Sequence, residues 1–147
     1  MIVITDSNII VSALIRPEGT IAQIFKSKSK IQFLAPDFLL TEIKNHLQEI
    51  EASSSLSKKE LQNELAFLKQ RIQFIAIPDI PKIYIAKAYE IVKDIDVDDV
   101  FFVALNRFKH HKIWTLDRIL MNGLLKKGYN ICVTTTQLKA RLYKKKG

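Results

Sequence analysis

Residues 94–117 read DIDVDDVFFVALNRFKHHKIWTLD. Asp98 and Asp99 open a helix through Phe101, Phe102, Val103, Ala104 and Leu105, because carboxylates complement the positive end of a helix dipole. Ile113 to Thr115 form a short apolar run, the composition of a buried strand, which leads to Asp117 at its carboxyl end. Ile119 to Leu125 continue as a helix that Gly128 stops. Helix, strand and helix in close succession are the signature of an α/β sheet.

The same alternation extends outward in both directions. Ile2 to Thr5 are a buried first strand ending at Asp6. Thr20 can cap a helix to about Lys26, Ile31 to Leu34 make a second strand, and Pro36 suits the first turn of a helix running to about Glu51. Ser53, Ser54 and Ser55 mark a loop. Ser57 with Glu60 forms a capping box for a helix carrying Leu61, Leu65, Leu68 and Ile72. Phe74 to Ile77 read as a brief strand, and a helix after Pro81 runs to about Lys93. Ile131 to Thr134 give a last strand, and Thr136 can cap a terminal basic helix. Strands that are nearly all apolar, alternating with helices, predict a parallel sheet covered on both faces.

At 147 residues and 48% hydrophobic content, the chain suits a single domain, 1–147, with one core. No apolar run is long enough to span a membrane and the first residues lack signal-peptide character, so a cytoplasmic protein is expected. The lone Cys132 lies in an apolar run and offers neither a disulfide nor a thiolate metal site. A formal charge of +8 with pI near 9.6 favours polyanionic partners. The positive charge gathers at Lys26, Lys28 and Lys30, at Lys109 to Lys112, at Lys126 and Lys127, and from Lys139 through Arg141 to Lys144, Lys145 and Lys146. An acidic run, Asp94, Asp96, Asp98 and Asp99, stands out against that background.

Ligands of open α/β sheets bind outside the carboxyl ends of the strands. Asp6 and Asp117 belong there, and Asp99 and Glu42 can reach the same edge. Taken singly, each acid has an ordinary role as a helix cap, a dipole partner or a solvated surface group. Taken together they would repel one another unless hard cations sat between them, and magnesium or manganese fits an oxygen-only set best. His46, His110 and His111 are scattered, which argues against zinc. Spacing alone leaves Asp98 and Asp99 both open as the ligand at the helix start, since each lies above buried helical positions.

The acids in TDSNII at Asp6, LLTEIKNH at Glu42, DIDVDDVFFVALN at Asp99 and IWTLD at Asp117 resemble, in order, the four acidic motifs of the PIN domain family, over nearly the whole chain. The resemblance implies a three-layer α/β/α sandwich with a central parallel sheet. It implies a magnesium- or manganese-dependent ribonuclease, often the toxin of a toxin–antitoxin pair. Asp6, Asp99 and Asp117 would ligate metal, Glu42 would bind or orient a second ion, and Asn8 and Thr115 would be polar supports. Asp96 at the helix entry could hold a second metal through water, leaving Asp98 as a cap or surface residue. The run from Asp96 through Asp99 to Phe102-Val103-Ala104-Leu105, followed by Ile113-Trp114-Thr115 and Asp117, resembles a prokaryotic branch of that family, with two departures: Leu116 occupies a place where this branch often has glycine, and the helix from Ser57 to Arg71 is unlike the shortest toxins.

The implied chemistry is in-line attack on an RNA phosphodiester by a metal-activated water, leaving a 5′-phosphate and a 3′-hydroxyl. That chemistry is equally open to DNA, and RNA is preferred by the resemblance. A small antitoxin protein and a homodimer are the expected protein partners. A haloacid-dehalogenase type of phosphotransferase would need an acid where Asn8 stands, and a receiver domain would need a mid-chain strand ending in a phosphoacceptor aspartate. The competing reading is a catalytically weak module that keeps the fold to bind nucleic acid or a protein.

Overall fold

Val3, Ile4 and Thr5 are buried in succession, as are Phe33, Leu34 and Ala35, and Ile113 and Trp114. Side chains alternate between the faces of a strand, so consecutive burial means cover on both faces. The computed structural model describes residues 1–144; Lys145 and Lys146 of the basic tail lie outside the described residues. Its strands are β1 (Ile2–Thr5), β2 (Gln32–Pro36), β3 (Ile72–Ile75), β4 (Ile113–Trp114) and β5 (Cys132–Val133). They form one sheet in the order β3-β2-β1-β4-β5, and every pairing is parallel.

The helices are α1 (Ser7–Ile15), α2 (Thr20–Lys26), α3 (Phe38–Asn45), α4 (Leu47–Ser53), α5 (Lys58–Arg71), α6 (Lys82–Val92), α7 (Val100–Lys109), α8 (Arg118–Lys126) and α9 (Thr135–Lys144). They cover the sheet as the outer layers of an α/β/α sandwich. α7, with Phe102, Val103, Ala104 and Leu105 all buried, packs against β1, β2 and β4, and α6 packs on α7. Phe25 of α2 packs in tilted geometry against Phe33 at 4.4 Å and against Trp114 at 5.4 Å between ring centroids. Burial of each such side chain contributes about 1.5–3 kcal/mol, and Trp114 thereby anchors β4, which leads to Asp117. No helix among the described residues is long and apolar enough to cross a membrane.

Several boundaries differ from the sequence expectations. Pro36 closes β2, opposite Ile75, and does not open a helix. A strand end spares proline the ladder hydrogen bond that it cannot donate. The helix expected to reach Glu51 breaks at His46 into α3 and α4. β3 begins at Ile72, directly after α5, because Ile72 pairs with Phe33. β4 and β5 are shorter than expected, while Gly128 ends the α8 turn at φ +87°. The Ser57–Glu60 capping box at the start of α5 is present as expected.

The chain builds β1, β2 and β3 outward in one direction and then returns to place β4 on the other side of β1. That reversal opens a crevice at the carboxyl ends of β1 and β4, where ligands of such sheets bind.

Candidate metal centre

Asp6 follows β1 and caps α1, and Asp117 follows β4 and caps α8, so two strand ends deliver two carboxylates to the crevice. Asp6 is 3% exposed. Its Oδ1 accepts a 2.8 Å hydrogen bond from the Ser7 amide and its Oδ2 a 2.7 Å bond from the Thr115 hydroxyl. The Thr115 oxygen in turn accepts from the Asp117 amide at 3.0 Å and from Asn8 Nδ2 at 3.4 Å. Asn8 Oδ1 accepts from the Leu116 amide at 3.3 Å. Asp117 Oδ1 accepts from the Leu120 amide at 3.0 Å, which leaves its other oxygen without a role in the cap. Asn8 and Thr115 therefore bridge the two strand ends. The Leu116 side chain is 43% exposed beside Asp117.

Asp96 and Asp99 arrive from the other direction, on the segment between α6 and α7. Residues Val97–Asp99 form a 3₁₀ turn, and α7 begins at Val100. The segment is fastened along α8: Lys127 Nζ pairs with Asp94 and donates to the Ile91 carbonyl at 2.6 Å. Gly123 faces Ile95 so closely that an added Cβ would lie 2.9 Å from Ile95 Cδ1. A side chain at Gly123 would force the Ile95 side chain to shift, so glycine here lets Ile95 pack directly on the helix that Asp117 caps. The result is a cluster in which one carboxylate oxygen each from Asp96, Asp99 and Asp117 lie within 4.8 Å of one another.

Of the two roles expected for Asp98, cap or surface residue, the structure shows the second: Asp98 is exposed, and the 3₁₀ turn is capped by Asp96, whose Oδ1 accepts from the Asp98 amide at 3.0 Å. An extended residue just before the turn can fold its side chain back onto the turn's amides, whereas Asp98 lies inside the turn and faces solvent. Neither Asp6 nor Glu42 belongs to the 4.8 Å group. Both border it electrostatically, since each raises the pKa of Asp99.

Burial, followed by repulsion from Asp6, Asp96, Asp117 and Glu42, pushes the Asp99 carboxyl up to about 8. Burial likewise pushes Glu42 up to about 7, and Asp6 is raised by burial against the lowering effect of its bond from Thr115. Asp99 Oδ2 and Glu42 Oε1 are buried with no hydrogen-bond partner. Orphaned buried acceptors are costly, and crowded carboxylates are costlier still when charged. A hard divalent cation removes both penalties, and the all-oxygen donor set suits magnesium or manganese. The donor set therefore fits such an ion.

Three contributors were missed in the sequence: Ser7, Gly123 and the Lys127–Asp94 pair. The Ser7 hydroxyl works against the rise in pKa of both Asp6 and Glu42, and its amide donates to Asp6 Oδ1. Its position directly after Asp6, in the first turn of a helix, was the available signal.

A parallel sheet with an acid cluster at its switch point defines a class of α/β proteins, and a comparison with known families makes the assignment specific. The family model described as PIN domain matches residues 4–142, and the chain belongs to the PIN domain family. Among curated proteins, none matches this chain. A similar solved structure is the crystal structure of VapBC2 from Rickettsia felis bound to a DNA fragment from their promoter. It has a TM-score of 0.60 at 13% identity, over 91% of this chain and 97% of that one. At that identity the likeness speaks for the fold.

Proposed function

We propose that this protein is a magnesium- or manganese-dependent endoribonuclease that hydrolyses RNA phosphodiesters. The observation that carries the reading is the convergence of Asp96, Asp99 and Asp117 within 4.8 Å, with a buried Asp99 oxygen that nothing else satisfies. Asp99 and Asp117 would hold the ion directly, with Asp6 as a further ligand on their border and Asp96 as a ligand or a water-mediated one. Glu42 would bind or orient a second ion. When bound, the metal supplies Lewis-acid stabilisation of the phosphoryl oxygens and a lowered pKa for an attacking water.

The chain's own groups do the rest. Thr115 and Asn8 fix the separation of Asp6 and Asp117, so little rearrangement is needed when charge develops. Without metal, burial raises Glu42 to about 7, so an ion bound beside it would displace a proton near neutral pH. The +8 charge of the chain draws phosphodiesters toward an edge that its acids alone would repel. A small antitoxin-like protein that covers the acid edge is the partner that this reading favours. Its support is the family together with the structural likeness to a VapBC2 assembly.

The test is hydrolysis of single-stranded and structured RNA with purified protein in manganese, in magnesium and in excess EDTA. Metal-dependent cleavage that disappears in Asp99→Asn and Asp117→Asn is expected. Full activity in EDTA would overturn the metal site, and RNA binding with no cleavage under any metal would favour a catalytically weak binding module.

A further inference from the structure

A cavity of about 1070 Å³ opens at the other edge of the sheet from the acids. Its lining includes Met1 and Ile31, which lie just before β1 and β2, so it sits at the amino ends of the strands. Lys28 and Lys30, between α2 and β2, and Lys139 and Arg141, on α9, also line it, against one carboxylate, Glu18. Among the described residues, none of these four cations has a carboxylate within ion-pair distance. Ile24 and Leu142 add apolar lining, and Ser29 Oγ is buried with no hydrogen-bond partner.

The ligand that suits this recess has negative charge for its rim and an apolar face for its lining. A bilayer needs a projecting or flat face, and this is a hollow between α2 and α9. A nucleotide has both features, and its size suits a recess of this volume. We propose that the cavity binds a nucleotide unit of the RNA strand whose scissile bond lies at the acid edge, as a second grip on substrate. The proposal rests on the nuclease reading for its substrate. β1 separates the two edges by roughly 16 Å at the rise of an extended strand. An RNA strand held at both edges would therefore span several nucleotides, about five at a stacked rise of about 3.4 Å each.

The experiment measures anisotropy of a labelled single-stranded RNA decamer with the full chain in EDTA, so that no cleavage occurs. One variant carries Lys28→Gln, Lys30→Gln, Lys139→Gln and Arg141→Gln. A control carries Lys58→Gln, Lys59→Gln, Lys69→Gln and Lys82→Gln, which lowers the net charge equally. The cavity variant is expected to bind about tenfold or more weaker, with a salt slope flatter by about 0.7 for each phosphate that it no longer neutralises, and the control to stay within about threefold. Adenosine monophosphate, titrated against both variants, separates the two sources of the nucleotide. Weakened decamer binding with no measurable monophosphate binding assigns the cavity to the strand. Monophosphate binding lost only in the cavity variant, with decamer binding unchanged, assigns it to free nucleotide and overturns the second grip. Equal weakening of decamer binding in cavity variant and control, or no loss of either decamer or monophosphate binding in the cavity variant, overturns the cavity site altogether. Wild-type RNA cleavage in manganese is measured separately, and its absence would sink the nuclease reading while the binding comparison stands.

Discussion

Thr115 and Asp6, 109 residues apart in the chain, share a buried 2.7 Å hydrogen bond that ties the end of β4 to the end of β1. The same hydroxyl oxygen accepts from the Asp117 amide, so one side chain sets the relation between two of the proposed ligands. Thr115→Val keeps the shape and removes both interactions. It leaves a buried carboxylate short of a donor, which costs about 1–3 kcal/mol. Urea unfolding at neutral pH should show that loss, Thr115→Ser should recover most of it, and metal-dependent cleavage should fall with the valine. Unchanged stability in Thr115→Val would mean that the bond has no structural weight.

The parts of this arrangement that follow local rules were legible in the sequence. Ile2 to Thr5 and Ile113 to Trp114 are dense apolar runs, and each leads to an aspartate at the sheet edge that the fold uses for ligands. The order of strands and helices predicted a parallel sheet, although not the strand order that puts β1 beside β4. Pro36 and Ile72 misled because each fits two elements locally, and pairing partners far along the chain decided between them. Likewise, spacing left Asp98 and Asp99 both open, because it cannot show that the segment stops in a 3₁₀ turn before α7. Gly123 and Lys127 connect to Asp96 only through the packing of α8 against the Asp94–Asp99 segment, which no local pattern encodes.

The raised carboxyls make a prediction about the metal-free protein. Glu42 at about 7 and Asp99 at about 8 stand above ordinary carboxyl values near 4. The folded chain therefore holds more protons than the unfolded chain between about pH 4 and pH 8. The stability linked to these groups is fully present below the unfolded values and is lost as pH rises through the folded ones. In EDTA, the melting temperature should fall from pH 5 to pH 9. Asp99→Asn, which carries no charge, should melt higher than wild type above pH 8. A wild-type melting temperature that rises over this window would reject the crowded-acid picture.

Metal should reverse that trend. Manganese binds the charged carboxylates of the folded state, so it should stabilise most where protons compete least, toward high pH. At a free concentration about one hundred times the dissociation constant, a single site adds about 2.7 kcal/mol. Thermal melts across a manganese titration should show this shift in wild type and little of it in Asp99→Asn or Asp117→Asn. An equal shift in all three proteins would place the ion elsewhere.

The division of labour between Asp96 and Asp98 gives the sharpest test of the site. Asp96 has two tasks: Oδ1 caps the turn through the Asp98 amide, and the carboxylate belongs to the 4.8 Å cluster with Asp99 and Asp117. Asp98 is exposed, lies outside that cluster and bears on the site through its repulsion of Glu42. Asp96→Asn keeps an oxygen able to cap the turn and loses the charge, so it should weaken manganese binding and cleavage with little loss of stability. Asp96→Ala loses both and should cost a further 0.5–2 kcal/mol, roughly the value of a helix cap. Asp98→Asn should leave stability within about 0.5 kcal/mol of wild type, as exposed substitutions do, and should retain most of the activity. The three variants, assayed for cleavage at several manganese concentrations beside thermal melts, separate the cap from the ligand. An inactive Asp98→Asn beside a fully active Asp96→Asn would move the ligand role to Asp98 and remove Asp96 from the metal centre.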